Sequence, residues 1–151
     1  MARNVVEATV RAAAPRDLVW AVVADGRSWK EWGGWQSTEL EREGDPPPDG
    51  LGAVRRNVRR PLTIREQVEL WEPPSRFGYV LLSGLPLRNY HAVVTLTASG
   101  AERDCTNIHW ESRFDARWRV LDGAMRAFVQ ATLNDVTGRL AREAERRAQT
   151  G

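Results

Sequence analysis

Four side chains stand where they could do chemistry inside an otherwise apolar wall: Arg56, Glu66, Tyr79 and Tyr90. Arg56 alternates with Val54 and Val58, and Glu66 alternates with Ile64 and Val68. In a strand this spacing puts each charge on the face of its apolar neighbours. A charge on a buried face is costly unless it is paired. One reading has the two meeting in a cavity, where they orient a polar ligand group or act as acid and base. A second has them as a satisfied pair bracing adjacent strands. A third is a one-residue change of register that turns both to water. Tyr79 and Tyr90 fall on strand faces that point inward. A buried phenol needs a partner, and a ligand oxygen, a water or a side chain would serve.

Other reactive types are sparse. His91 and His109 are the only histidines, both on faces that read as outward, so a catalytic histidine is disfavoured and no metal is expected. The single cysteine, Cys105, excludes an internal disulfide and has no general base beside it in sequence. No phosphate-binding loop, dinucleotide fingerprint or nucleophile elbow occurs, and no cofactor is expected. The Arg55-Arg56 and Arg59-Arg60 clusters lie near Glu39, Glu41, Glu43 and Glu66. A solvated ion-pair face fits them better than nucleic-acid binding.

The elements that must position these groups follow from periodicity. Asn4 to Ala12 alternates as a strand with one wet face. Pro15 suits the first position of a helix carrying Leu18, Val19, Val22 and Val23. Asp25 can cap a second short helix that holds Trp29 and Trp32 and ends at Gly33-Gly34. Six strands are then expected: Trp35–Glu43, Gly52–Arg59, Leu62–Trp71, Phe77–Leu82, Tyr90–Ala98 and Thr106–Phe114, with a hairpin turn at Ser99–Asp104. Their short turns favour antiparallel neighbours.

Arg117 to Gln149 closes the chain as one long helix. Leu121, Met125, Phe128, Val129, Thr132, Leu133, Val136 and Leu140 recur at threes and fours, and polar residues take the other face. About thirty helical residues reach roughly 45 Å. Such a helix needs a large concave surface to lie on. An antiparallel sheet of about seven strands would supply it, giving an α+β domain over residues 1–151. A gap between sheet and helix follows, and such gaps bind small molecules.

Composition agrees. The chain has 151 residues and a net charge of +2, so charge alone does not point to nucleic acid. The basic pI rests on arginine, with Lys30 the only lysine. The first twenty residues hold no long apolar run, which argues against a signal peptide or a membrane span and predicts a cytoplasmic protein. Seven tryptophans are the unusual feature, suited to a deep core or a cavity wall.

The order of elements and several local strings resemble the START-like, or SRPBCC, superfamily with its helix-grip, Bet v 1-like fold. The strings are Ala14-Pro15…Leu18-Val19-Trp20, Asp25…Trp29…Trp32, Glu72-Pro73-Pro74-Ser75-Arg76-Phe77, Gly84…Pro86…Tyr90, Val94-Thr95-Leu96 and Thr106…Ile108…Trp110…Phe114, followed by the amphipathic helix. The polyketide cyclase/dehydrase and lipid-transport branch is the most similar. The resemblance implies a curved sheet wrapped around the last helix, with two short helices between strands one and two. Because fold does not fix function, it leaves three roles. The first is a binding module for a lipid, polyketide or isoprenoid-like molecule. The second is a polyketide aromatase/cyclase or dehydratase using Arg56, Glu66, Tyr79 or Tyr90. The third is a co-chaperone-like interaction module presenting the loops Gly44–Gly50 and Gly84–Arg88. The expected wall is Trp32, Trp35, Arg56, Glu66, Tyr79, Leu81, Tyr90, Trp110, Met125, Phe128 and Val129, with Leu81 and Val129 also readable as plain core. A monomer or homodimer is expected.

Overall fold

Alternation in the first strand sets the inner face of the sheet. In β1 (Asn4–Ala12), Val6, Ala8 and Ala12 are buried while Val5, Glu7 and Arg11 face water. The computed structural model describes residues 2–99 and 102–150. Pro15 caps α1 (Arg16–Ala24) from an extended conformation rather than occupying its first turn. There its missing N–H leaves no orphan donor. Asp25 then accepts from the Arg27 N–H at 3.1 Å, starting a single 3-10 turn. That turn runs into α2 (Trp29–Trp32), which closes with the Gly33 N–H on the Trp29 carbonyl.

Six antiparallel strands follow: β2 (Ser37–Arg42), β3 (Val54–Arg59), β4 (Leu62–Glu72), β5 (Arg76–Ser83), β6 (Leu87–Ser99) and β7 (Glu102–Ala116). With β1 they form one seven-stranded sheet in the order β1-β7-β6-β5-β4-β3-β2. The sheet, the two short helices and the closing helix are the expected helix-grip architecture. Strand bounds depart from the sequence reading in places. β3 begins at Val54 rather than Gly52, because Gly52 takes a positive φ of 89°. β6 and β7 run well past their expected ends, so most of the Ser99–Asp104 turn is strand; its tip lies outside the described residues.

The last helix, α3 (Asp122–Thr150), starts five residues later than expected, after a 3-10 turn at Arg119–Leu121. Asp122 fixes that start. It accepts from Arg3 Nε at 2.9 Å, Asn4 Nδ2 at 3.0 Å and the Ala116 N–H at 3.2 Å. Those bonds, led by Arg3, hold its carboxyl down at about 2. An acid in the first turn also complements the helix dipole.

Helix α3 lies on β1, β7, α1 and α2, and strands β3, β4 and β5 stand away from it. Its buried residues are Val129, Leu133, Val136, Thr137, Leu140, Ala141 and Ala144. They join Val19, Val22 and Val23 of α1 and Ile108 and Leu96 of the sheet in one core. No helix among the described residues is long and apolar enough to cross a membrane.

Candidate functional site

The stand-off between α3 and strands β3–β5 leaves a cavity of about 390 Å³. That is within the usual range for small-molecule sites, roughly 300–1,000 Å³. Its floor is Trp29, Ile64, Tyr79 and Trp110, and its roof is Val129, Leu133 and Val136. Arg59, Arg60, Pro61, Phe128, Thr132 and Asp135 line it and are also exposed, so the mouth opens between the β3–β4 turn and the first half of α3.

Cross-strand register decides which charges reach this space. Glu66 lies opposite Arg55 on β3 and opposite Leu81 on β5. Residues directly opposite share a face, so Arg55 joins Glu66 inside and Arg56 does not. Arg56 is on the outer face, in an exposed pair with Glu39 at 3.8 Å. This corrects the expectation for Arg56. The apolar Val54 and Val58 had indicated the inner face, but the pairing with β4 sets Arg55 opposite Glu66 and Asn57 opposite Ile64, so the inner row is Arg55 and Asn57, while Val54 and Val58 share the row of Arg56.

Arg55 is 3% exposed and packs beneath the end of α1. Its Nη2 donates to the Ala24 carbonyl at 3.0 Å and lies 3.4 Å from Asp49 Oδ1. The guanidinium also sits over the Phe77 and Trp29 rings, at 4.9 and 5.5 Å from their centroids. Gly26 makes room for it, since a Cβ there would fall 2.7 Å from Arg55 Nε. Burial lowers the Arg55 pKa, while Asp49 and Glu66 oppose that shift. An arginine remains charged under such conditions.

Glu66 is the charged group that faces the cavity. It accepts from Asn57 Nδ2 at 2.9 Å. Burial pushes its carboxyl up to about 7, against the pull of Arg55 and Asn57. At neutral pH it can therefore either give or take a proton. Tyr79 and Tyr90 flank it, with ring centroids 6.4 Å apart. The Tyr90 hydroxyl shares a 2.9 Å hydrogen bond with Ser112 Oγ. Burial, helped by the nearby Glu66 charge, raises Tyr90 to about 12. Burial and Tyr90 raise Tyr79 well above its ordinary value. Both phenols thus keep their protons and can donate to a ligand oxygen. The indole N–H of Trp35, a lining residue, is buried without a hydrogen-bond partner, as is Asn57 Oδ1 beside Glu66, while the Trp110 indole meets the Tyr79 hydroxyl.

Of the expected wall, Trp35, Glu66, Tyr79, Leu81, Tyr90, Trp110, Phe128 and Val129 line the cavity. Trp32 does not. Its indole donates to Ser28 Oγ at 2.9 Å, and it packs behind Trp29, which takes the inner position beside Tyr79 and Trp110. Met125 is half-buried against the core and lies outside the lining, a turn before the cavity begins. Phe128 lines the mouth but is 41% exposed, so it is a lip rather than core.

The sequence reading missed Trp29, Asn57, Arg59, Arg60 and Thr132 as lining or supporting residues. Trp29 and Trp32 are both candidates by spacing, and only the direction of the four-residue helix separates them. Arg55, Asn57 and Arg59 alternate as well as Val54, Arg56 and Val58 do, so the register was legible only through Glu66.

The histidines are outside the site, as expected. His91 Nδ1 is 2.7 Å from Glu69, and His109 Nε2 is 2.9 Å from Glu7 on the outer face. Glu7, His109 and Glu111 come within 4.8 Å of one another there, although Glu111 is already held by Arg113 Nε at 2.6 Å.

Residues 3–145 match the family described as polyketide cyclase/dehydrase and lipid transport. Among solved structures, the Zhui aromatase/cyclase from Streptomyces sp. R1128 superposes with a TM-score of 0.81 at 22% identity, covering 95% of this chain and 94% of that one. A START superfamily protein from Mycobacterium smegmatis gives 0.78 at 14% identity, covering 97% of each chain. Norcoclaurine synthase from Thalictrum flavum, solved with dopamine and hydroxybenzaldehyde, gives 0.72 at 12% identity, covering 92% of this chain and 84% of that one. At these identities the likeness is one of fold. No curated protein sequence matches the chain. The chain belongs to the polyketide cyclase/dehydrase and lipid transport family, with the START-like fold.

Proposed function

We propose that this member of the family encloses a hydrophobic, oxygen-bearing small molecule of aromatic or polyketide-like type between the sheet and α3. One observation carries the reading: an apolar cavity of about 390 Å³ whose wall includes the Tyr79 and Tyr90 hydroxyls and Trp35, whose indole N–H has no partner. A buried donor left unpaired costs roughly 1–3 kcal/mol. A ligand oxygen at Trp35 would recover that cost. A plain acyl chain would fill the space but leave that donor unmet, so oxygenated rings fit better than simple lipid tails.

A second reading is supported by Glu66 specifically. A carboxyl near 7 beside two protonated phenols is suited to aldol closure of a poly-carbonyl chain. Glu66 would take a proton from a carbon between two carbonyls. The carbanion would form a bond to another carbonyl carbon, and that carbonyl oxygen would take a proton from Tyr79 or Tyr90. Glu66 would return its proton to the phenolate and close the cycle. The cavity would hold the chain folded for that bond.

Native mass spectrometry of freshly purified protein, followed by solvent extraction, tests the binding reading. A co-purifying oxygenated apolar molecule is expected, or else saturable uptake of N-phenylnaphthylamine by apo protein. A clean apo mass with no uptake of that probe overturns it. Glu66→Gln separates the two readings: loss of turnover with unchanged affinity supports the acid/base role, and full turnover removes it.

A further inference from the structure

Charge at the cavity is divided unevenly. Four charged residues line it: Glu66 within, and Arg59, Arg60 and Asp135 at the mouth. Asp135 is neutralised by Arg139 Nε at 2.9 Å. Glu66 is held by Asn57 and lies opposite the buried Arg55. On the outer face of the same strands, Arg56 is matched by Glu39 and Arg65 by Glu41. Arg59 and Arg60, by contrast, have no ion-pair partner among the described residues, whereas the other arginines of β3, β4 and β5, Arg55, Arg56, Arg65 and Arg76, each pair with an acid. The turn that carries them is positioned. The Arg60 N–H donates to Gln36 Oε1 at 2.9 Å, and the Gln36 N–H donates to the Val58 carbonyl at 2.8 Å. Two unpaired guanidinium groups thus border the opening of an apolar cavity, presenting donors in the planar geometry that suits a carboxylate or phosphate.

We infer that Arg59 and Arg60 form an anion-recognition site at the cavity mouth, so that the ligand is amphiphilic: its apolar, oxygenated body lies inside and a carboxylate- or phosphate-type group stays at the turn. This rests on the binding reading above and adds an orientation to it. The neutral end enters first, toward Tyr79 and Tyr90, because the floor already holds an acid. The same chemistry has two sources: an acid group on the ligand itself, or a phosphate on a carrier arm to which the ligand is joined. A negative group at the mouth would also be drawn there before docking, by the two charges acting together.

Two fluorescent probes with one scaffold test it. Anilinonaphthalene sulfonate carries an anion and N-phenylnaphthylamine does not. The wild-type protein is expected to prefer the sulfonate at low salt by roughly fivefold or more, with the preference fading as salt is raised. In Arg59→Gln/Arg60→Gln the preference should disappear, the loss for the sulfonate exceeding any change for N-phenylnaphthylamine. An equal response of both proteins to both probes overturns the anion site and leaves the cavity reading standing. No binding of the neutral probe to wild-type protein with a clean apo mass overturns the cavity reading itself. Competition by naphthoate and by naphthoyl coenzyme A then identifies the source. A larger loss in the double variant for naphthoate puts the anion on the ligand, and a larger loss for the thioester puts it on the arm. No loss for either overturns the site. Both substitutions are on an exposed turn, so the variant should melt with the wild type.

Discussion

The two halves of α3 share one helical period and do opposite things. From Thr137 to Ala144 the helix is pressed against α1 and the sheet, with Leu140, Ala141 and Ala144 buried. From Phe128 to Val136 the same apolar stripe spans the cavity, with Phe128 and Thr132 left at its mouth. The difference comes from what lies opposite. The closed half meets the valine face of α1, and small alanines let the two approach. The open half faces β3, β4 and β5, which stand off. Sequence periodicity marks a helix face as apolar without saying whether another side chain or a ligand will cover it.

The same contrast applies to the charged residues, and substitutions can sharpen it. Arg55 belongs to the closed part, sealed under α1, and Arg56 to the solvent face. Arg55→Ala should cost roughly 3–5 kcal/mol, because it leaves Asp49 and the Ala24 carbonyl without their partner. Arg56→Ala should change stability by no more than about 0.5 kcal/mol. Chemical denaturation of the two variants checks this, and equal effects would show that the β3 register is wrong. Along α3, Leu140→Ala should cost roughly 2–5 kcal/mol with the cavity's affinity for N-phenylnaphthylamine unchanged. Phe128→Ala should cost about 1 kcal/mol or less and weaken the probe instead. A reversal of that pattern would erase the distinction between the halves.

Glu66 adds a pH signature. Its folded pKa of about 7 lies above the ordinary value of 4.5, so the folded state favours the protonated form. That contribution is complete below about pH 4.5 and is lost as pH rises through 7. Glu66→Gln should therefore be more stable than wild type at pH 8, by about 1–3 kcal/mol, with the gap closing on acidification to pH 4.5. A gap independent of pH would show that the carboxyl titrates normally.

The architecture was legible because each element carries its own signal. The alternation in β1, the Pro15 and Asp25 boundaries and the threes and fours of α3 are local. The membership of the wall was legible in part. Glu66, Tyr79 and Trp110 lie in paired strand rows, and all three line the cavity with Tyr90, which sits in the register shift between Arg88 and His91. Arg56, Trp32 and Met125 were misplaced because their positions depend on non-local facts: the β3–β4 pairing that sets Arg55 opposite Glu66, the orientation of a one-turn helix, and the point along α3 where the sheet curves away. The mouth arginines were visible as a cluster, but only the structure shows which of them lack acids.

The central claim is that the open half of α3 spans a space meant for a ligand. Thr132→Trp tests it most directly, because Thr132 lines that space yet is exposed, so an indole can project into it without disturbing the core. The measurement is a titration of N-phenylnaphthylamine into wild type and variant, with thermal unfolding of both. The account predicts that the variant unfolds with the wild type and no longer takes up the probe. Undiminished binding in a well-folded Thr132→Trp protein would contradict it.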